Sequence, residues 1–130
     1  MLVELLLSAR GWWVGLCAEL DLTPAQGQAL RLLDPSRPVA MSALADSLVC
    51  DASNVTGIVD KLEARGLIAR QGADHDRRVK QLVVTRAGQV LRDRLNSRVL
   101  EPPLAIKSLP AEVKVHLIEV IRTFRAERTR

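Results

Sequence analysis

The apolar residues of this chain recur at helical spacing over most of its length. In the first 20 residues they lie three and four positions apart, and further apolar residues widen the stripe, so this helix needs burial on more than one side. A second subunit or the protomer's own core would supply that burial, and the residues alone leave both open. The same spacing predicts helices over residues 24–34, 42–48 and 52–65, and further helices beginning at Thr85 and Pro110.

Residues at the ends of these segments support the prediction. Thr23 and Gln26 form a capping box around Pro24, and Ser42 is a candidate cap for the third helix. Gly66 is placed to end the fourth helix in a left-handed conformation. We therefore expect short helices with defined ends rather than one long helical rod.

The spacing of the apolar residues changes after Gly66. Residues 67–71 and 79–84 are short, rich in Leu, Ile and Val, and separated by a polar loop, which predicts a β-hairpin with a charged tip. Two short helices followed at once by such a hairpin have the layout of a winged helix-turn-helix. The predicted fold is therefore mostly α, with a small β-hairpin wing.

The fourth helix carries the candidate DNA-reading residues. Its apolar positions face inward, which leaves a polar outward face. Asn54 has the amide that pairs with adenine, although Asp51, Ser53 and Asn54 are also residues that any helix start prefers. Asp60 is acidic and is expected to orient Lys61 or Arg65 rather than to face a phosphate. The predicted DNA-binding residues of this helix are Ser53, Asn54, Thr56, Gly57, Lys61 and Arg65.

The hairpin tip supplies the second half of the predicted DNA surface. Arg77 and Arg78 project from a narrow ribbon towards phosphate or the minor groove, whereas a solvated surface turn is the alternative. Ser42, at the start of the third helix, is a further candidate contact. The partner predicted from these residues is double-stranded DNA.

Composition narrows the class of protein without deciding it. A chain of 130 residues fits one domain, and its net charge of +4 agrees with an anionic partner but does not require one. Cys17 and Cys50 form no C-x-x-C pair, and His75 and His116 are isolated, so we predict neither a metal nor a cofactor nor an enzyme. The Leu-rich start lacks a basic leader, which predicts a cytoplasmic protein without a membrane span.

Four segments occur in an order that resembles the MarR family of transcriptional regulators: LTPAQGQALRLL, MSALADSLVCDASNVTGIVDKLEARGLIAR, ADHDRRVKQLVVT and the following RAG. The resemblance implies a homodimer that binds a pseudo-palindromic operator, with the recognition helix at 52–65 and wing residues Asp76, Arg77 and Arg78. It also implies one domain over residues 1–130, with dimerisation helices at 1–22 and 100–130 and the winged core and linking helix at 23–99.

The same resemblance implies a repressor that a small aromatic compound releases from DNA. By analogy Trp12, Trp13 and Leu16 are candidate pocket residues, although apolar residues on a buried helix more often belong to the core. Cys17 is a candidate redox sensor, with a buried inert thiol as the alternative. A winged helix that binds protein is a further alternative, against which the polar outward face of the fourth helix counts.

Overall fold

The computed structural model describes residues 2–48, 52–73, 75, 78–101 and 104–127, with the backbone alone at residues 2, 52, 53, 104 and 105. The helices are α1 (Leu2–Glu19), α2 (Pro24–Leu32), α3 (Met41–Leu48), α4 (Ala52–Ala64), α5 (Arg86–Val99), α6 (Leu104–Lys107) and α7 (Ala111–Glu127). The strands are β1 (Val39–Ala40), β2 (Ile68–Gly72) and β3 (Lys80–Val84). A mostly helical fold with a small antiparallel sheet is thus confirmed.

The sheet contains the predicted hairpin and one strand that the sequence did not predict. β2 and β3 pair in antiparallel register from Ile68 opposite Val84 to Gly72 opposite Lys80. β1 pairs with the other side of β3, so the order is β1-β3-β2 and β2 lies at an edge. Because β1 has only two residues, its pairing depends on tertiary contact rather than on any period in its own sequence.

The chain divides into two compact units, Met1–Val99 and Leu100–Arg130. The first unit holds the hydrophobic core, to which α1–α5 and the strands contribute. Its largest fully buried aliphatic side chains are Leu30, Leu33, Leu44, Leu62, Ile68, Leu82, Leu95, Val55 and Val59. In the second unit, α7 has no buried residue.

The helix ends show which local predictions hold. The Thr23 hydroxyl accepts from the Gln26 amide at 3.2 Å, and the Gln26 side chain accepts from the Thr23 amide at 3.1 Å, so the capping box is confirmed. Gly66 has a φ of 67°, as predicted for its left-handed position. The predicted cap at Ser42 is wrong, because α3 begins at Met41 directly after β1 and Ser42 lies inside the first turn.

The start of α5 packs against the base of the hairpin. The Thr85 hydroxyl donates to the Gly66 carbonyl at 2.6 Å and accepts from the Gly88 amide at 3.1 Å. A Cβ on Gly88 would lie 1.9 Å from the Leu67 carbonyl oxygen, which no side chain can occupy. Glycine at 88 therefore lets α5 approach the segment that joins α4 to β2.

Candidate nucleic-acid interface

α4 has one buried face and one exposed polar face. Val55, Val59 and Leu62 are buried in the core, whereas the side chains on the opposite face are open to solvent. The four predicted DNA contacts exposed on this face are Asn54, Thr56, Gly57 and Lys61. Ser53 lies in the first turn of α4, and its side chain is outside the described part of the structure, as is the predicted cap Asp51.

A groove runs between α4 and the start of α2. One part, of 240 Å³, is lined by Asn54, Gly57 and Lys61 on the α4 side and by Thr23 and Gln26 on the other. A Cβ added to Gly57 would meet no atom within 4 Å, so packing does not demand glycine here. Glycine inside a helix costs about 1 kcal/mol relative to alanine. The absence of a side chain at 57 thus has no structural benefit in the described protomer and leaves the exposed surface open.

Arg65, at the end of α4, is bound to the end of α1. Its guanidinium donates to the Asp21 carbonyl at 2.6 Å and to the Leu20 carbonyl at 3.3 Å. Asp21 has a φ of 54° in the turn that leaves α1. These hydrogen bonds satisfy carbonyls at a helix C-terminus. They give Arg65 a role within the protein, and the DNA contact predicted for it stays a prediction.

Asp60 has a different partner from the two that the sequence suggested. Its carboxylate accepts from the Arg70 guanidinium on β2 at 2.5 Å, whereas Lys61 and Arg65 were expected. Because α4 and β2 run side by side, the Arg70 side chain reaches back across the gap to Asp60. Arg70 also donates to Glu63 on α4. The hydrogen bonds that Arg70 donates to Asp60 and then to Glu63 raise its pKa against the opposing effect of burial.

The wing presents one predicted arginine in the described part of the chain. Arg78 is exposed in the turn just before β3, and next to it the Ala73 amide donates to the Val79 carbonyl at 3.0 Å. Arg77 and Asp76 lie outside the described residues. Ser42 is exposed on α3. The structure thus brings α4 and the hairpin base together, with Arg70 as a contact that sequence periodicity missed.

The candidate pocket residues on α1 belong to a tightly packed region. Trp12 and Trp13 are half-buried and pack against the core, and Leu16 is buried. Trp13 donates from its indole nitrogen to the Pro24 carbonyl at 3.3 Å, and Arg31 lies 5.7 Å from the centre of its ring. These contacts favour the core assignment, and a ligand pocket at these residues stays a prediction.

Cys17 is fully buried beside Trp13. A Cβ on Gly27 would lie 2.6 Å from its sulfur, so α1 and α2 touch closely here. Burial raises the pKa of the Cys17 thiol, and the nearby Arg31 opposes this only in part. A protonated, buried thiol is a poor nucleophile. The environment therefore favours an inert thiol over the redox sensor.

The described residues form neither a candidate metal site nor a candidate membrane span. Among the described residues, no group of three His, Cys, Asp or Glu side chains is arranged to hold a metal ion. None of the described helices has the length and apolar character required to cross a membrane.

Comparison with known proteins shows which family and which solved structures the chain resembles. The sequence profile of the MarR family matches residues 22–80. The uncharacterized HTH-type transcriptional regulator YfiV of Bacillus subtilis (strain 168) is 33% identical over 60 residues, which are 46% of this chain and 38% of that protein. The chain thus spans about two fifths of the length of this curated relative.

Solved structures resemble the chain over nearly its whole length. CouR from Rhodococcus jostii RHA1, bound to p-coumaroyl-CoA, is 25% identical with a TM-score of 0.71, covering 92% of this chain and 88% of that one. A mutant of S. aureus MepR bound to an oligodeoxyribonucleotide has a TM-score of 0.68 at 19% identity, covering 99% and 95%, and this likeness shows the fold alone. By these matches residues 22–80 are similar to the MarR family, and the chain has the winged helix-turn-helix fold of these solved structures.

Proposed function

We propose that this protein is a cytoplasmic transcriptional regulator that binds a specific double-stranded DNA sequence as a homodimer. The observation that carries the proposal is the exposed polar face of α4, formed by Asn54, Thr56, Gly57 and Lys61 beside the hairpin. Small polar side chains on the second helix of a helix-turn-helix are suited to base edges in the major groove. Gly57 fits this use, because no packing contact requires it.

The proposed dimer rests on apolar side chains that one protomer leaves exposed. In α7, Ile121 and Phe124 are 53% and 52% exposed, and in α1 Leu6 is 61% exposed. Apolar residues at helical spacing on an exposed face are typical of subunit interfaces. A two-fold dimer would present two copies of α4 and the wing, as a pseudo-palindromic operator requires.

Repression and its release by a small aromatic ligand are further parts of the proposal. Support comes from CouR, which was solved with p-coumaroyl-CoA bound, and from a similar structure of Bordetella bronchiseptica BpsR, which concerns regulation of DNA binding by 6-hydroxynicotinic acid. BpsR is only 21% identical to this chain.

The proposed function is tested by selecting duplexes from a randomised pool with the purified protein. Affinities for a selected and a scrambled duplex are then measured at several salt concentrations. We expect Asn54→Ala to reduce discrimination between the two by roughly 1 to 3 kcal/mol, because a bidentate contact to a base is lost. We expect Arg78→Ala to weaken both alike and to lower the log–log salt slope by about one, because a phosphate contact is lost.

Arg94→Ala is the matched control for charge. It removes one exposed guanidinium from α5 rather than from the wing, and should leave both the discrimination and the slope close to those of the parent. Failure of the parent protein to enrich any duplex overturns the proposed function. Equal losses for Asn54→Ala on both duplexes would instead show that Asn54 only positions α4.

A further inference from the structure

The side chain of Arg70 joins the two elements of the proposed DNA-binding surface. It lies on β2 and reaches α4, where one nitrogen of its guanidinium donates to Asp60 at 2.5 Å and another donates to Glu63. Its backbone amide donates to the second oxygen of Glu63 at 3.2 Å. A single residue of the hairpin is thus held by two carboxylates of α4 through three hydrogen bonds.

The position of β2 explains why this contact matters. β2 is an edge strand, paired with β3 on one side only, so its outer side has no strand to hold it. Glu63 accepts the outward amide of Arg70 on that side. The planar guanidinium has donors in a fixed fork and meets two carboxylates in one defined orientation, which a lysine does not. The contact therefore limits how far the hairpin can turn relative to α4.

The charges at this contact fit a role in positioning better than a role in stability. The side chains of Asp60 and Glu63 are 59% and 39% exposed. Ion pairs this open to solvent contribute little to stability. An unpaired Asp60 on the proposed DNA face would repel phosphate, whereas pairing with Arg70 neutralises it. The Arg70 side chain is only 24% exposed and already engaged, so it is poorly placed to contact DNA itself.

We propose that Arg70 is a positioning residue for DNA recognition, which sets the angle between α4 and the wing by binding Asp60 and Glu63. This inference rests on the proposed function. It predicts that a carboxylate on the DNA face favours specific binding, although simple electrostatics predicts that removing it would strengthen binding to any duplex.

The test uses the full chain with the selected and scrambled duplexes. We expect Asp60→Asn to lower the affinity for the selected duplex and to reduce discrimination roughly tenfold, in the range of coupling found within such networks. The salt slope should not change, since no phosphate contact is lost. Asp46→Asn is the control, because it removes an exposed carboxylate of α3 that pairs with no described residue. It should leave discrimination intact.

A double-mutant cycle separates positioning from charge. If Asp60 and Arg70 act as one unit, Asp60→Asn combined with Arg70→Ala loses no more discrimination than Arg70→Ala alone. Additive losses overturn the inference, as does an Asp60→Asn protein that binds both duplexes more tightly. A lower salt slope for Arg70→Ala also overturns it, because Arg70 would then contact phosphate. Thermal unfolding of each variant checks that it is folded.

Failure of the inference and failure of the proposed function give different results. If the parent protein selects no duplex, both the proposed function and the inference that rests on it are overturned. If the parent selects a duplex and the Asp60 and Arg70 variants discriminate as well as the parent does, only the inference is overturned.

Discussion

The core of Met1–Val99 and helix α7 of the second unit use apolar residues in opposite ways. In Met1–Val99, leucines such as Leu30 and Leu62 are completely buried, and the charged side chains lie outside. In α7 of the second unit, Ile121 and Phe124 follow an equally clear helical spacing, but about half of each side chain is exposed. The same period therefore marks the core in the first unit and an exposed apolar face in α7. Helical periodicity thus shows which apolar residues share one face of a helix, but it does not show whether that face is buried within the protomer.

The same kind of truncation in both units should have very different effects on stability. Leu62→Ala should lower the free energy of unfolding by about 2 to 5 kcal/mol at every protein concentration, because it leaves a cavity in a closed core. Ile121→Ala should change the unfolding of dilute protein by less than about 0.5 kcal/mol, since surface substitutions rarely do more. It should instead weaken self-association.

Urea unfolding at two protein concentrations, together with sedimentation, measures both effects. Stability that depends on concentration in the parent and less so in Ile121→Ala would support a subunit contact through α7. A loss for Ile121→Ala as large as that for Leu62→Ala at all concentrations would show that α7 is covered within the protomer.

Within the first unit, Gly88 packs directly against a neighbouring backbone, whereas Gly57 does not. Gly88→Ala should lower the free energy of unfolding by about 1 to 3 kcal/mol, because its Cβ would collide with the backbone of Leu67. Gly57→Ala is the matched control and should stabilise the helix by up to about 1 kcal/mol, since an added Cβ there would meet no atom within 4 Å. Thermal and urea unfolding provide the measurement, and equal effects at the two glycines would contradict the described packing of α5.

The smallest expected effect is on the reactivity of the Cys17 thiol rather than on the stability of the fold. In a Cys50→Ser background, Cys17 should react with a thiol reagent far more slowly in the folded protein than in urea, because burial raises the pKa of its thiol and blocks access. Raising the pH towards the ordinary pKa of 9.0 should increase the rate less for folded than for unfolded protein. Rapid oxidation by dilute peroxide at neutral pH would restore the redox hypothesis.

Local features were predictable from the sequence, and contacts between distant elements were not. The Thr23 capping box and the left-handed Gly66 follow from residues within one turn of each other, and both are confirmed. The Arg70 contact with α4 depends on the packing of a strand against a helix, so no spacing of residues in the sequence predicts it. Arg65 is of a residue type that often contacts DNA. In the structure its guanidinium instead donates to the carbonyls of Asp21 and Leu20, which are 44 and 45 positions away in the sequence.

The order of the three strands has a consequence for how the protein behaves in solution. A sheet with an open edge can recruit a strand from another molecule, which begins aggregation. Here β3 is enclosed by its neighbours, β1 offers only two residues, and on β2 the outward amide of Arg70 is already taken by Glu63. The edges of this sheet are therefore poor templates for a strand from another molecule.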